Sequence, residues 1–122
     1  MDVVNEALKI LKLVLQANAP YDTGNLALNS IRIVGNAVYI GGEIADYAVY
    51  TNEPWINKGG AKNPNEGWVE RAIQEAIPIL QRTLSGKATL EDIQEAQAKY
   101  KGIIADRKKR MVESLKQLRD NI

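Results

Sequence analysis

The proline at position 20 divides the N-terminal part of this chain into two kinds of structure. Over residues 2–17, apolar side chains recur every three or four positions with polar residues between them, which predicts an amphipathic helix. Pro20 disfavours a helical conformation in the residue before it, so we expect the helix to end there. Asp22 or Thr23 is then expected to cap a short helical turn through Asn29 by accepting a backbone N–H.

A small antiparallel sheet is predicted after this turn. Residues 30–34 and 37–40 read as two strands, and Gly35-Asn36 between them suits the positive φ of a tight hairpin turn. A third strand is expected over 45–50, where aromatic and β-branched side chains follow one another. Residues 51–66 concentrate Asn, Gly, Pro and Lys, which predicts a long surface loop.

Two further helices are predicted in the C-terminal half. Apolar residues at helical spacing indicate a helix from about Gly67 to Leu84, with Asn65 as its cap and Pro78 as a local distortion. The segment Thr89-Leu90-Glu91-Asp92 resembles a capping box with Asp in place of the usual Glu. A last helix is therefore expected to begin there and to run as far as Asn121.

Composition places the chain among soluble globular proteins and removes most catalytic chemistry. A chain of 122 residues with 45% apolar and 25% charged residues is long enough for one domain with a core. It contains no Cys and no His, so it has no disulfide, no thiolate and neither the commonest general base nor the commonest zinc ligand. A net charge of +1 gives no global reason for nucleic-acid binding. Neither a signal peptide nor a membrane span is expected.

Asp22-Thr23-Gly24 is also the catalytic triplet of aspartic proteases. Those enzymes place the Asp in a loop between hydrophobic strands, braced by an apolar-apolar-Gly segment. The only such segment here, Ile33-Val34-Gly35, follows the triplet too soon, and the predicted helices do not suit an all-β protease. We therefore assign Asp22 and Thr23 to capping.

Two other segments contain residue types found in phosphate-binding and calcium-binding loops, but neither has the required spacing. Lys58-Gly59-Gly60-Ala61-Lys62 lacks the spacing of a phosphate-binding loop. The carboxylates at Glu43, Asp46, Glu53 and Glu66 lack the alternating spacing of a calcium loop. No cofactor, metal or catalytic residue is predicted.

The last helix carries a basic run and a short heptad pattern. Arg107-Lys108-Lys109-Arg110 point around more than one face of a helix, so a solvated face is favoured over a contact with DNA or an acidic partner. Ile104, Met111 and Leu118 repeat every seven residues, and so do Leu115 and Ile122, which suggests packing against a partner. Lys108 interrupts the second register and limits any coiled coil to about two heptads. Trp68 lies in helical register with apolar residues and is expected in the core. The candidate interface residues lie in the predicted third strand, the loop and the last helix: Tyr47, Tyr50, Trp55, Lys58, Lys62, Met111, Leu115 and Leu118.

The order of these segments resembles the head-tail joining and tail-completion proteins of tailed bacteriophages, including those described as neck or minor capsid proteins. Three segments carry the resemblance besides the turn after the first helix: Tyr47-Ala48-Val49-Tyr50, Tyr50 to Trp55, and Asn63 to Trp68. The structural-motif residues of that turn are Pro20, Asp22, Thr23, Gly24, Leu26 and Ser30. The resemblance ends near Leu84, so we divide the chain into a joining-like domain over 1–84 and a helical extension of the same domain over 85–122.

This resemblance implies an α+β fold in which two long helices pack on one face of a small antiparallel sheet. It further implies a non-enzymatic virion protein that forms a ring at the head-tail junction. Its partners would be copies of itself, connector or adaptor proteins and tail proteins, with incidental contact with packaged DNA and with no membrane, cofactor or small-molecule substrate. Its location would be the virion, and the host cytoplasm during assembly. The alternative is a non-enzymatic interaction protein whose basic C-terminal helix mediates oligomerisation or nucleic-acid contact.

Overall fold

Helices make up most of the chain in the computed structural model, which describes residues 2–20, 25–43 and 45–121. The elements in chain order are helix α1 (Val3–Asn18), a π-helical turn (Asn25–Asn29), strands β1 (Arg32–Val34) and β2 (Ala37–Tyr39), and helices α2 (Ala48–Asn52), α3 (Trp68–Leu84) and α4 (Leu90–Asp120). The two strands form an antiparallel sheet, α1 packs on α3 and α4, and α4 is the long C-terminal helix. The predicted fold class is therefore confirmed.

Helix α1 contacts α3, α4, the π-helical turn and both strands. Asp2 caps its first turn, because the Asp2 carboxylate accepts the Asn5 N–H at 3.1 Å. The helix ends just before Pro20, as predicted, since Ala19 has extended backbone angles. The core joins buried side chains of α1 to those of the other elements: Ile10, Val14, Leu15, Leu26, Ile31, Trp68, Ala72, Ala76, Ile93 and Tyr100.

The predicted hairpin forms, with shorter strands than the sequence indicates. β1 begins at Arg32, which pairs with Tyr39 at the far end of β2. Gly35 in the turn has a φ of 59°, the positive value that the Gly-Asn pair predicts.

The predicted third strand over 45–50 is wrong, because Ala48–Asn52 forms helix α2. Ala48 is buried, and a Cβ added at Gly41 would lie only 2.7 Å from the Ala48 Cβ. Glycine therefore lets the chain that precedes α2 approach this helix closely. The Thr51 hydroxyl donates to the Ala48 carbonyl at 2.6 Å within the same turn. Aromatic and β-branched residues favour a strand only where a neighbouring strand is available, and here the contacts of Ala48 favour one helical turn instead.

Helix α3 begins where predicted, although the predicted cap at Asn65 is wrong. Gly67 occupies the N-cap position with a φ of 73° and has no side chain that could accept a hydrogen bond. The capping hydrogen bonds come from Asn52 of α2 instead. The Asn52 side-chain oxygen accepts the Val69 N–H at 3.0 Å, and the Asn52 carbonyl accepts the Gly67 N–H at 3.0 Å. One residue of α2 thus satisfies two donors at the start of α3.

Helix α4 begins with the predicted capping box. The Thr89 hydroxyl accepts the Asp92 N–H at 3.0 Å, and the Asp92 carboxylate accepts the Thr89 N–H at 3.0 Å. The helix has 31 residues and is therefore about 46 Å long. Ile93 and Tyr100 bury its first half against the core.

Candidate interaction surfaces

The structural-motif residues lie where α1 passes into the hairpin. Leu26 and Ser30 are buried, and Pro20 is half-buried. The Ser30 hydroxyl donates to the Leu26 carbonyl at 2.6 Å and accepts the Gly41 N–H at 3.2 Å. Ser30 therefore joins the π-helical turn to the segment after β2. The other motif positions, Asp22, Thr23 and Gly24, lie outside the described residues, and so do the caps predicted there.

The predicted loop after α2 is folded around a buried asparagine. The Asn63 side chain donates to the Thr51 carbonyl at 2.8 Å and to the Glu53 carbonyl at 2.7 Å, and it accepts the Asn65 N–H at 2.9 Å. Trp68 is buried, as predicted, and its indole N–H donates to the Thr51 hydroxyl at 3.0 Å. These bonds hold the loop against α2 and the start of α3.

Two candidate interface residues, Tyr50 and Trp55, form a stacked pair on the outside of this loop. Their ring centroids are 5.2 Å apart and their planes differ by 5°. The Trp55 indole donates to the Tyr50 carbonyl at 3.1 Å, so Trp55 is held in place while it remains half-buried. We call Tyr50, Trp55, Ile56 and Lys62 the loop surface, because Trp55, Ile56 and Lys62 line one shallow cavity of about 450 Å³. Ile56 is exposed and was missed from the sequence.

The other candidates in this region are exposed but not grouped with the loop surface. Tyr47 precedes α2 and is about two-fifths exposed. Lys58 lies exposed in a turn closed by the bond from the Gly60 N–H to the Asn57 carbonyl at 3.0 Å. The structure therefore places Lys58 at a turn and Lys62 beside Trp55.

A second recess, the α2 groove, lies beside the loop surface. It measures about 360 Å³ and is lined by Ile40, Ala48, Val49, Asn52, Glu53 and Val69. Val49 is 69% exposed although it is apolar. The incorrect strand prediction gave no reason to expect an exposed apolar side chain at Val49. An amphipathic helix over the same residues, with Ala48 inward, would have placed Val49 outward.

The end of α4 extends beyond the packed part of the protein. Every residue from 112 to 121 is exposed, whereas Met111 is half-buried. We call Val112–Asp120 the C-terminal arm. Its apolar side chains Val112, Leu115 and Leu118 follow one another at intervals of three, and Leu115 and Leu118 are 58% and 63% exposed. Val112 was missed from the sequence, although its position one turn before Leu115 could have identified it.

The basic run on α4 is divided between internal contacts and solvent. Arg107 donates to the backbone carbonyls of Gln16, Ala17 and Ala19 at the end of α1, with a distance of 3.2 Å for Gln16. Arg110 pairs with Asp106 at 2.6 Å, while Lys108 and Lys109 are exposed. Two of the four cations are thus engaged within the chain.

The recess between α3 and α4 is lined by five charged side chains, Glu75, Arg82, Asp92, Glu95 and Lys99, and three of them have partners within the chain. Asp92 pairs with Arg82 at 3.0 Å, and Glu75 accepts the Asn18 amide at 2.8 Å. Hydrogen bonds from Thr89 and the nearby Arg82 guanidinium hold the pKa of the Asp92 carboxyl below its usual value. Burial raises the pKa of the Tyr100 phenol, and the Glu75 carboxylate adds to the rise.

These pairings make the α3–α4 recess a set of structural contacts. Over residues 2–20, 25–43 and 45–121, no group of three or more carboxylates comes together in a way that could hold a metal ion. In the same part of the chain, no helix combines the length and the apolar character needed to cross a membrane.

Among the described residues, the loop surface, the α2 groove and the C-terminal arm each group exposed apolar side chains that a partner could contact. Comparison with known proteins gave no match to a family model, to a curated protein or to a solved structure.

Proposed function

We propose that this chain is a structural virion protein of a tailed phage that forms a ring at the head-tail junction, where it completes the tail or joins it to the capsid connector. The sequence resemblance supplies the class of assembly. The structural observation that carries the proposal is the exposure of large apolar side chains on two separate elements of one chain. These side chains are Val49, Tyr50 and Ile56 around α2 and the loop, and Val112, Leu115 and Leu118 on the C-terminal arm.

Two different apolar surfaces on one subunit are what a head-to-tail contact requires. One subunit contributes the first surface and its neighbour contributes the second, and repetition of the contact closes into a ring when the rotation allows. Grouped exposed apolar residues on a small protein are typical of interaction sites. The motif residues Leu26 and Ser30 are buried between α1 and β1, so they stabilise the fold of the subunit. Contacts with neighbouring subunits then involve other, exposed residues.

In this role the protein binds copies of itself, connector or adaptor proteins and tail proteins. It needs no cofactor, metal or small-molecule substrate, and it performs no catalysis. Its contact with packaged DNA is incidental. It acts in the virion at the head-tail interface and passes through the host cytoplasm during assembly.

The test is electron microscopy of particles made after this gene is disrupted in its phage, with a complementing copy as the control. DNA-filled heads beside separate tails would support a joining or completion role. Normal joined virions would overturn it.

The alternative role, nucleic-acid contact through the basic helix, gives a different result in the same experiment. It requires normal virions together with salt-dependent binding of the purified protein to duplex DNA. That binding should weaken when Lys108 and Lys109 are replaced by Gln, because both side chains are exposed. Arg107 and Arg110 are poor choices for this test, since both already contact other parts of the chain.

A further inference from the structure

The C-terminal arm and the α2 groove have complementary charge. The segment from Lys108 to Asp120 contains five cationic and two acidic residues. On the arm itself, Lys116 and Arg119 lie beside Val112 and Leu115 and line one shallow recess with them. The arm thus presents an apolar stripe with cations along its side.

The groove presents the opposite arrangement. Its walls are mainly apolar, and among the described residues that line it the one charged side chain is Glu53. A second carboxylate, that of Glu70, accepts the amide of the lining residue Asn52 at 3.1 Å. An apolar helix face with cations at its edge complements this surface in apolar character and in charge.

Pairing of two arms with each other is a weaker arrangement. The arm offers only three large apolar side chains over roughly two and a half helical turns, too few for a stable two-helix coiled coil. A symmetric pair would also bring the cationic segment from Lys108 onward close to its own copy. The preformed wall of the α2 groove avoids both difficulties.

We propose that the C-terminal arm of one subunit binds in the α2 groove of a second copy of this chain. This inference rests on the proposed ring and names its subunit contact. Val112, Leu115 and Leu118 cover Val49 and its apolar neighbours, while Lys116 and Arg119 lie near Glu53. Each subunit gives one arm and receives another, so the contact is head-to-tail.

Cysteine cross-linking of this 122-residue chain tests the contact directly, because the chain has no Cys and gives no background. Val49→Cys and Leu115→Cys place one thiol in the groove and one on the arm, both at exposed positions that should not disturb folding. A short bis-maleimide reagent joins thiols that lie close together. The double variant should give a ladder of dimers, trimers and larger species.

The matched control is Val34→Cys with Leu115→Cys, because Val34 is 54% exposed but lies on β1. Mixing the Val49→Cys and Leu115→Cys single variants should give dimers alone, since each carries one half of the contact. Replacing Leu118 by Gln in the double variant should reduce the ladder at least about tenfold, because Gln keeps helix propensity but removes apolar contact.

Three outcomes would overturn the inference. The first is cross-linking of Leu115→Cys with itself, which indicates pairing between two arms. The second is a ladder no stronger than that of the Val34 control. The third is a ladder that is insensitive to Leu118→Gln. The microscopy result is independent of all three: separate heads and tails after gene disruption, combined with failed cross-linking, would retain the proposed function and reject this contact.

Discussion

Arg107 on α4 donates a hydrogen bond to the backbone carbonyl of Ala19, which lies 88 positions earlier in the chain. The same guanidinium also bonds the carbonyls of Gln16 and Ala17. The last turn of a helix leaves carbonyl oxygens without partners inside the helix, and a cation there also opposes the negative end of the helix dipole. Arg107 therefore caps α1 and fixes α4 against it.

Replacing Arg107 by Ala should lower the free energy of unfolding by about 1.5 kcal/mol or more, because several charge-assisted hydrogen bonds are lost together. Arg107→Lys should recover part of this loss, since an ammonium group cannot reach several carbonyls with the fork of a guanidinium. Urea denaturation followed by circular dichroism measures both changes. Lys108→Ala is the control, and this exposed residue should change stability by less than about 0.5 kcal/mol. Equal effects at the two positions would contradict the capping role.

Asn63 should be the most sensitive polar residue of the loop. Asn63→Ala leaves the Thr51 and Glu53 carbonyls without their donors, and we expect a loss of about 1–3 kcal/mol. The loop should also detach from Trp68, which would shift the tryptophan fluorescence of the native protein. Asn57→Ala is the matched control, because Asn57 is an exposed loop residue whose side chain accepts one bond, from the Ala61 N–H at 2.9 Å. Thermal denaturation measures the loss, and a wild-type melting temperature for Asn63→Ala would contradict the stabilising role of Asn63.

The elements that the sequence predicts well are those fixed by local signals. Helix α1, the hairpin turn, α3 and α4 follow from apolar spacing, from Gly35 and from the Thr89 capping box, and all of these act within a few residues. Helix α2 could not be predicted in the same way. A segment of five residues is too short to show a helical period. The conformation of α2 also depends on contacts with Gly41 and Trp68, which lie outside the helix.

In the candidate surfaces, too, some residues could be predicted from local sequence and others could not. Tyr50, Leu115 and Leu118 are exposed, as an interface requires, and their positions followed from residue type and heptad spacing. The exposure of Val49 did not follow from the sequence, because residues 45–50 were predicted as a strand. Arg107 was seen only as part of a basic run, because nothing near it in sequence indicates that the carbonyls at the end of α1 lie beside it. Contacts between distant segments decide these roles.

Trp55→Ala should weaken assembly more than it weakens the fold. The variant loses the stack on Tyr50 and the indole hydrogen bond, which together should cost the monomer about 1–2 kcal/mol. The helical circular dichroism spectrum should be unchanged, since the core is formed by other residues. Head-tail joining in the complemented phage should fall. Trp55→Phe keeps an aromatic ring for the stack and should retain most of the head-tail joining. A Trp55→Ala chain that is unfolded at room temperature would instead make Trp55 a core residue.

Gly102→Ala should stabilise the protein. Gly102 lies inside α4 and is exposed, and a Cβ added there meets no atom within 4 Å among the described residues. Alanine in a helix interior is favoured over glycine by about 0.5–1 kcal/mol, which should raise the melting temperature by a few degrees, about 2–6 °C. Gly67→Ala is the opposing control, because the φ of 73° at Gly67 strains any residue with a Cβ. A lower melting temperature for Gly102→Ala would show that α4 needs the glycine.

The capping box of α4 should make stability depend on pH in the acid range. The pKa of the Asp92 carboxyl is lowered in the folded protein by the hydrogen bonds from Thr89 and by Arg82. A carboxyl with a lowered folded pKa stabilises the protein above its unfolded pKa of about 3.9, and the contribution is lost as the pH falls through the lower folded value. Asp92→Asn keeps the shape and an acceptor but has no charge to titrate. The melting temperature of the wild type should therefore exceed that of Asp92→Asn by a constant amount from pH 7 to about 5, and the difference should shrink below about pH 4. A difference that stays constant down to pH 2 would mean that the Asp92 charge contributes nothing to the start of α4.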